Sequence, residues 1–160
     1  MADFFDALDE RHMAMIAAQP VFFVATAAEG ARINLSPKGY DCFRVLSPTR
    51  VAYLDLGGSG NETNAHLLAD GRITLMFCNF QQPTLILRIY GRGEPVVPWD
   101  RGWDDLAPHF TLFPGTPQPQ LVCTLSTAMS KIWRVPGNIV KCAASSSQPR
   151  SHGTTGSPRP

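Results

Sequence analysis

Apolar residues in this chain fall into short runs rather than one sustained helical stripe. VFFVAT (Val21–Thr26), FRVL (Phe43–Leu46), RVAYLDL (Arg50–Leu56), RITLMF (Arg72–Phe77) and TLILRIY (Thr84–Tyr90) are rich in β-branched and aromatic side chains, and RINL (Arg32–Leu35) alternates polar with apolar. Such runs suit a pleated, half-buried surface. Turn chemistry separates them: Glu29-Gly30, Ser36-Pro37-Lys38-Gly39, Ser47-Pro48-Thr49, Asp70-Gly71 and Gln82-Pro83. The spacing predicts a strand meander closing into a small barrel or sandwich.

Three segments depart from the meander. Residues 3–18 read as a helix, with Phe4, Phe5, Leu8, Met13, Ile16 and Ala17 on a rough stripe, Asp3 and Asp6 near its positive end and Pro20 as its stop. After RVAYLDL the chain runs GGSGNETNAHLLA (Gly57–Ala69). Ser59 three residues before Glu62 is a capping-box spacing, and Ala65, Leu67 and Leu68 can bury one side of a short helix. In the last third, Trp99, Trp103, Leu106 and Phe110 have amphipathic-helix spacing, Phe113-Pro114-Gly115-Thr116-Pro117 is a turn, and Leu121–Met129 reads as a final strand. From Ser145 to Pro160 no aliphatic or aromatic residue occurs, so that stretch cannot offset its ordering entropy. The expected organisation is one folded domain over residues 1–135 and a divergent, disordered tail over 136–160.

Composition narrows the function classes. The 160 residues carry 14 Lys+Arg against 13 Asp+Glu, which excludes the broad basic footprint of a nucleic-acid binder. The start, MADFFDALDERHM, is acidic and is not a signal peptide, and the most apolar stretch is broken at Gln19-Pro20. The expected location is the cytoplasm, with no membrane partner. Cys42, Cys78, Cys123 and Cys142 form no Cys-x-x-Cys and have no nearby His, which argues against a structural zinc site and fits reduced thiols.

Two segments could carry chemistry. Alternation places Arg32, Asn34 and Ser36 on one strand face, with Lys38 at the strand end. GGSGNET sets Asn61, Glu62 and Thr63 at a helix start, where backbone N–H groups and the dipole favour an anion. Neither is diagnostic alone: taken singly, a polar solvent-facing strand and a plain loop with a capped helix account for them more readily. The second is neither a dinucleotide fingerprint, since Thr63 stands at the third glycine position and no acidic residue follows at the right distance, nor a Walker loop, since no Gly-Lys-Ser/Thr follows. Together they offer donors and cations suited to one small phosphate, such as that of a flavin mononucleotide. No Ser-His-Asp or Cys-His constellation is apparent. His66 reads as surface or helix packing, with an approach to a flavin or substrate as the other possibility, His109 as a helix end, and Asp104-Asp105 as a solvated face. Phe22, Phe23, Phe77 and Phe80 read as core or dimer interface. Trp99, Trp103 and Trp133 read as packing anchors, with the wall of an interface pocket as the other possibility.

Taken in order, NLSPKG (Asn34–Gly39), Val51–Thr63, GRITLMF (Gly71–Phe77) and ILRIYGRG (Ile86–Gly93) resemble the pyridoxamine 5'-phosphate oxidase-like, FMN-binding split-barrel family over roughly residues 12–95. The resemblance implies a mainly β, six-stranded split barrel with short flanking helices, acting as a homodimer with FMN at the subunit interface. It implies phosphate and ribityl contacts from Arg32, Asn34, Ser36 and Lys38, further phosphate contacts from Asn61, Glu62 and Thr63, and a flavin-ring strand end at Leu54 and Asp55. The oxidases carry Arg-Lys where this chain has Glu62-Thr63, and a flavin-contacting glutamine where it has Ile86. Their C-terminal arginine- and histidine-bearing substrate segment has no counterpart, so the implied activity is an FMN-dependent oxidoreductase of another small-molecule substrate, with a nicotinamide as a possible donor. The alternative is a non-catalytic flavin, haem or deazaflavin binding protein of the same fold. From Arg134 onward the chain also lacks the family's Cys-Gly-aromatic-Gly-Val-Pro ending, as a shifted reading frame or altered terminus would produce.

Overall fold

The structure, a computed structural model, describes residues 2–56, 61–110 and 121–134. Eight strands form one antiparallel sheet: β1 (Ala2–Phe5), β2 (Val21–Thr26), β3 (Asn34–Gly39), β4 (Phe43–Ser47), β5 (Arg50–Asp55), β6 (Arg72–Asn79), β7 (Leu85–Val96) and β8 (Leu121–Arg134). Their spatial order is β3-β2-β6-β7-β8-β5-β4, with β1 added on β8. The helices are α1 (Glu10–Ala17), α2 (Glu62–Ala69) and α3 (Trp103–Leu106), the last running into a 3₁₀ turn at Ala107–His109.

Alternation decides which face each strand buries. On β2, Phe22, Val24 and Thr26 point into the core, and on β6 Ile73, Leu75 and Phe77 do the same. Leu87 and Ile89 follow from β7. β5 is buried from Val51 to Asp55, on both faces, as a continuous apolar run predicts. Phe22 stacks on Phe77 with ring centroids 5.2 Å apart, and Phe43 meets both edge-on at 5.1 Å. α2 lies against β7, β2 and β6. Gly71, at φ +81°, ends it by letting its own N–H and that of Asp70 return to the His66 carbonyl.

Several expectations change. The stretch read as a helix over 3–18 is a strand and then a shorter helix: Ala2–Phe5 pairs with Trp133–Ser130 of β8, and α1 starts only after Asp9, which caps it by accepting from His12 N–H at 3.0 Å. Asp3 and Asp6 therefore do not sit on a helix N-terminus. The RINL strand slides two residues and runs through Pro37 to Gly39; Pro37 is tolerated because β3 is an edge strand. β7 continues past Tyr90, with a register shift between Tyr90 and Gly91, and β8 reaches Arg134. Among the described residues the sheet thus holds eight strands, two more than the six of the expected barrel. The helix expected from Trp99 begins only at Trp103; Trp99 sits in a turn, 83% exposed, and is not a packing anchor, whereas Trp103 packs on the core. Ser59 of the expected capping box, the 113–117 turn and the tail over 136–160 lie outside the described residues.

Candidate functional site

The site begins with an inverted edge strand. On β3, Asn34, Ser36 and Lys38 are half-buried while Leu35 is 63% exposed, and Ile33 just before it is 78% exposed. The polar residues, not the apolar ones, face the body of the protein. With about 3.4 Å per residue, three polar side chains spaced by two cover about 13 Å along the strand.

Each meets a different part of the fold. Asn34 Nδ2 donates to Thr63 Oγ1 at 3.0 Å and to Thr26 Oγ1 at 3.4 Å, tying β3 to the first turn of α2 and to β2. Thr26 Oγ1 is in turn 3.0 Å from His66 Nδ1, one helical turn beyond Thr63. Ser36 Oγ is buried without a hydrogen-bond partner. Lys38 Nζ donates to Asp55 Oδ1 at 2.9 Å, at the end of β5. Behind them Cys42, whose carbonyl accepts from Leu54 N–H at 2.7 Å, has its thiol pushed up to about 11 by burial. At the other end, Asn61 caps α2 by position only: its side chain makes no cap bond. Among the described residues, the first-turn N–H groups consequently have no side-chain acceptor of the kind a cap supplies.

The sequence-predicted residues divide as follows. Asn34, Ser36, Lys38, Asp55 and Thr63 come together along the inner side of β3. Asn61 and Glu62 sit exposed at the helix start beside them. Arg32 is exposed in the loop before β3 and makes none of these contacts. Leu54 is 4% exposed in the core, so its side chain is not part of the cluster. Sequence reasoning missed Thr26 and took His66 for surface or helix packing; both are buried and hydrogen-bonded. The available signals were a hydroxyl on the core face of an apolar strand and a histidine three residues after Thr63. Thr26 also borders a cavity of about 340 Å³ whose wall includes Ile33, Arg72, Thr74 and Tyr90. Among the described residues no group of His, Cys, Asp and Glu could hold a metal ion, and no helix is long and apolar enough to cross a membrane.

The architecture has clear counterparts among solved structures. A protein from Lactobacillus delbrueckii, described as a candidate pyridoxamine 5'-phosphate oxidase, superposes with a TM-score of 0.61 at 18% identity, over 79% of this chain and 94% of that one. HupZ of Group A Streptococcus gives 0.60 at 18%, over 82% and 96%. A FAD-binding protein from Mesorhizobium loti gives 0.53 at 15%, over 82% and 96%. The fold is therefore the mainly β split barrel of these proteins. Residues 8–114 match the family model described as pyridoxamine 5'-phosphate oxidase, and the chain belongs to that family. Among curated proteins it is similar to the pyridoxamine 5'-phosphate oxidase family protein ustO of Aspergillus flavus, 43% identical over 103 residues. That match spans 62% of this chain but 41% of the length of ustO.

Proposed function

We propose that the protein is an FMN-binding oxidoreductase whose substrate is a small molecule, working as a cytoplasmic homodimer. The observation that carries this reading is the inward polar row Asn34, Ser36 and Lys38, whose Asn34 end meets the first turn of α2. The donor set fits a phosphate and its polyol: an ammonium, a threonine hydroxyl held by the Asn34 amide, and a buried serine hydroxyl with no partner of its own. The flavin would supply the redox chemistry when bound; the chain supplies grip and orientation. Lys38 provides the positive charge, Ser36 and Thr63 hydroxyl donors, and the first turn of α2 its backbone N–H groups. Asn61 and Glu62 flank that turn from solvent. Family membership and the FAD-binding protein of the same fold support a flavin. The exposed Ile33, Leu35 and Phe80 support a partner subunit.

The test is titration of the purified protein with FMN, followed by flavin fluorescence. Saturable binding weakened by Lys38→Ala and Thr63→Ala supports the reading, and no saturable binding defeats it. Oxidation of a nicotinamide donor by the loaded protein would separate an enzyme from a non-catalytic carrier.

A further inference from the structure

We propose that Thr26 and His66 are positioning residues that hold the Asn34 amide in place and so leave the Thr63 hydroxyl as a hydrogen-bond donor toward an anionic ligand group. The inference rests on the FMN-binding reading and assigns a specificity device within that site.

The argument is a count of hydrogens. The Asn34 amide nitrogen carries two, and the structure directs them to Thr63 Oγ1 at 3.0 Å and Thr26 Oγ1 at 3.4 Å. A threonine hydroxyl that accepts still has its own hydrogen to give. One hydrogen, from the Thr26 hydroxyl or from His66 Nδ1 according to the ring tautomer, fills the 3.0 Å contact between them and holds Thr26 in place. The hydroxyl hydrogen of Thr63 has no acceptor among the described residues. Thr63 is the second residue of α2, so its hydroxyl lies beside first-turn N–H groups that also donate. The Thr63 hydrogen and the first-turn N–H groups are thus left for an acceptor-only partner, which is what a phosphate is.

Burial makes the pattern rigid. Thr26 is 2% exposed, and Thr63 and His66 are each 6% exposed, so water does not reset their directions. Thr26 and His66 act from behind: their link holds the second amide hydrogen of Asn34. Without it the amide can rotate by half a turn and present its oxygen to Thr63. That rotation consumes the Thr63 hydrogen and leaves the lone pairs of Thr63 Oγ1 facing the ligand. The pair thus sets the polarity of the site rather than touching the phosphate.

The experiment compares FMN with riboflavin, which lacks the phosphate, on the native protein and on Thr26→Val, Thr26→Ser and His66→Leu. Native protein is expected to prefer FMN. Thr26→Val should lower FMN affinity about five- to tenfold and change riboflavin affinity less than about twofold. Thr26→Ser should restore the preference, and His66→Leu should reduce it in the same direction. Equal weakening of both ligands in Thr26→Val, or an unchanged preference, overturns this inference and leaves FMN binding standing. Absence of FMN binding by the native protein overturns both. Should Thr26→Val not fold, an undiminished FMN preference in His66→Leu overturns the inference and a reduced one supports it.

Discussion

Lys38 Nζ lies 2.9 Å from Asp55 Oδ1, and this ion pair joins the β3 edge strand to the end of β5. In the order β3-β2-β6-β7-β8-β5-β4 these strands lie near opposite ends of the sheet. A side-chain bond therefore spans a gap that no backbone ladder between them closes. Both side chains are mostly buried, 20% and 12% exposed, so the pair is less screened than a surface one. Asp55→Asn should leave the ammonium short of its counter-charge and lower stability by about 1–3 kcal/mol in urea unfolding. The same variant removes a carboxylate that competes with an incoming phosphate. FMN should bind Asp55→Asn at least as tightly as the native protein, while Lys38→Ala binds it about tenfold more weakly. Parallel losses in both variants would show that Lys38 serves only the fold.

Stability should fall as pH is lowered from 7 to 5. His12 is fully buried, its Nδ1 within 2.9 Å of the Asp9 N–H, and burial holds its ring below the ordinary value of 6.5. The unfolded chain then binds a proton near 6.5 that the folded chain binds only at lower pH. The contribution is complete above about 6.5 and is lost as pH falls below it. Asp9, held down to about 2 by the Arg11 guanidinium and the His12 N–H, acts in the same direction between about 4 and 2. Urea midpoints measured from about pH 7 down to about pH 2 should decline in two stages, and His12→Gln should remove the upper one. A midpoint independent of pH between 5 and 7 would contradict the buried neutral ring.

Cys42 should be inert while the protein is folded. It is 2% exposed, and burial pushes its thiol up to about 11, so almost no thiolate exists at pH 8. Alkylation with iodoacetamide at pH 8, mapped by peptide mass, should leave Cys42 unlabelled in native protein and labelled in denaturant. Rapid native labelling would mean that the link between β3 and β4 opens readily.

How much of this could be read from the chain depended on whether the deciding contact was local. β2 was legible to the residue, and β4, β5 and β6 to within about two, because each is an apolar run bounded by turn residues. β1 was not. ADFF has no period that separates strand from helix, and it is a strand because it meets Ser130–Trp133 of β8, far along the chain. β3 was displaced because Pro37-Lys38-Gly39 has turn composition, while its place at the sheet edge makes Pro37 acceptable. At the site, Asn34, Ser36 and Lys38 were visible as a period-two polar row. That the row faces inward, with Ile33 and Leu35 outward, follows from β3 closing over α2 and β5, which no local pattern encodes. The link between Thr26 and His66 was hidden for the same reason: it joins residues forty apart in sequence.

The seating of α2, and with it Thr63 and His66, depends on a missing side chain on β7. A Cβ on Gly93 would lie 3.0 Å from Leu67 Cδ2, 3.2 Å from Leu67 Cδ1 and 3.3 Å from Ile73 Cγ2. Leu67 and Ile73 are buried, so neither has open space into which to retreat. Gly93→Ala should therefore lift α2 from β7, lowering stability by about 1–3 kcal/mol in urea unfolding. FMN affinity should fall with it, because Thr63 would move away from Asn34. A double-mutant cycle locates the cause. Leu67→Val withdraws one crowding methyl, so the Gly93→Ala/Leu67→Val protein should be more stable than the sum of the single losses, by about 1 kcal/mol. Strict additivity would place the strain elsewhere than under the helix, and the link from β7 through Leu67 to the site would then fail.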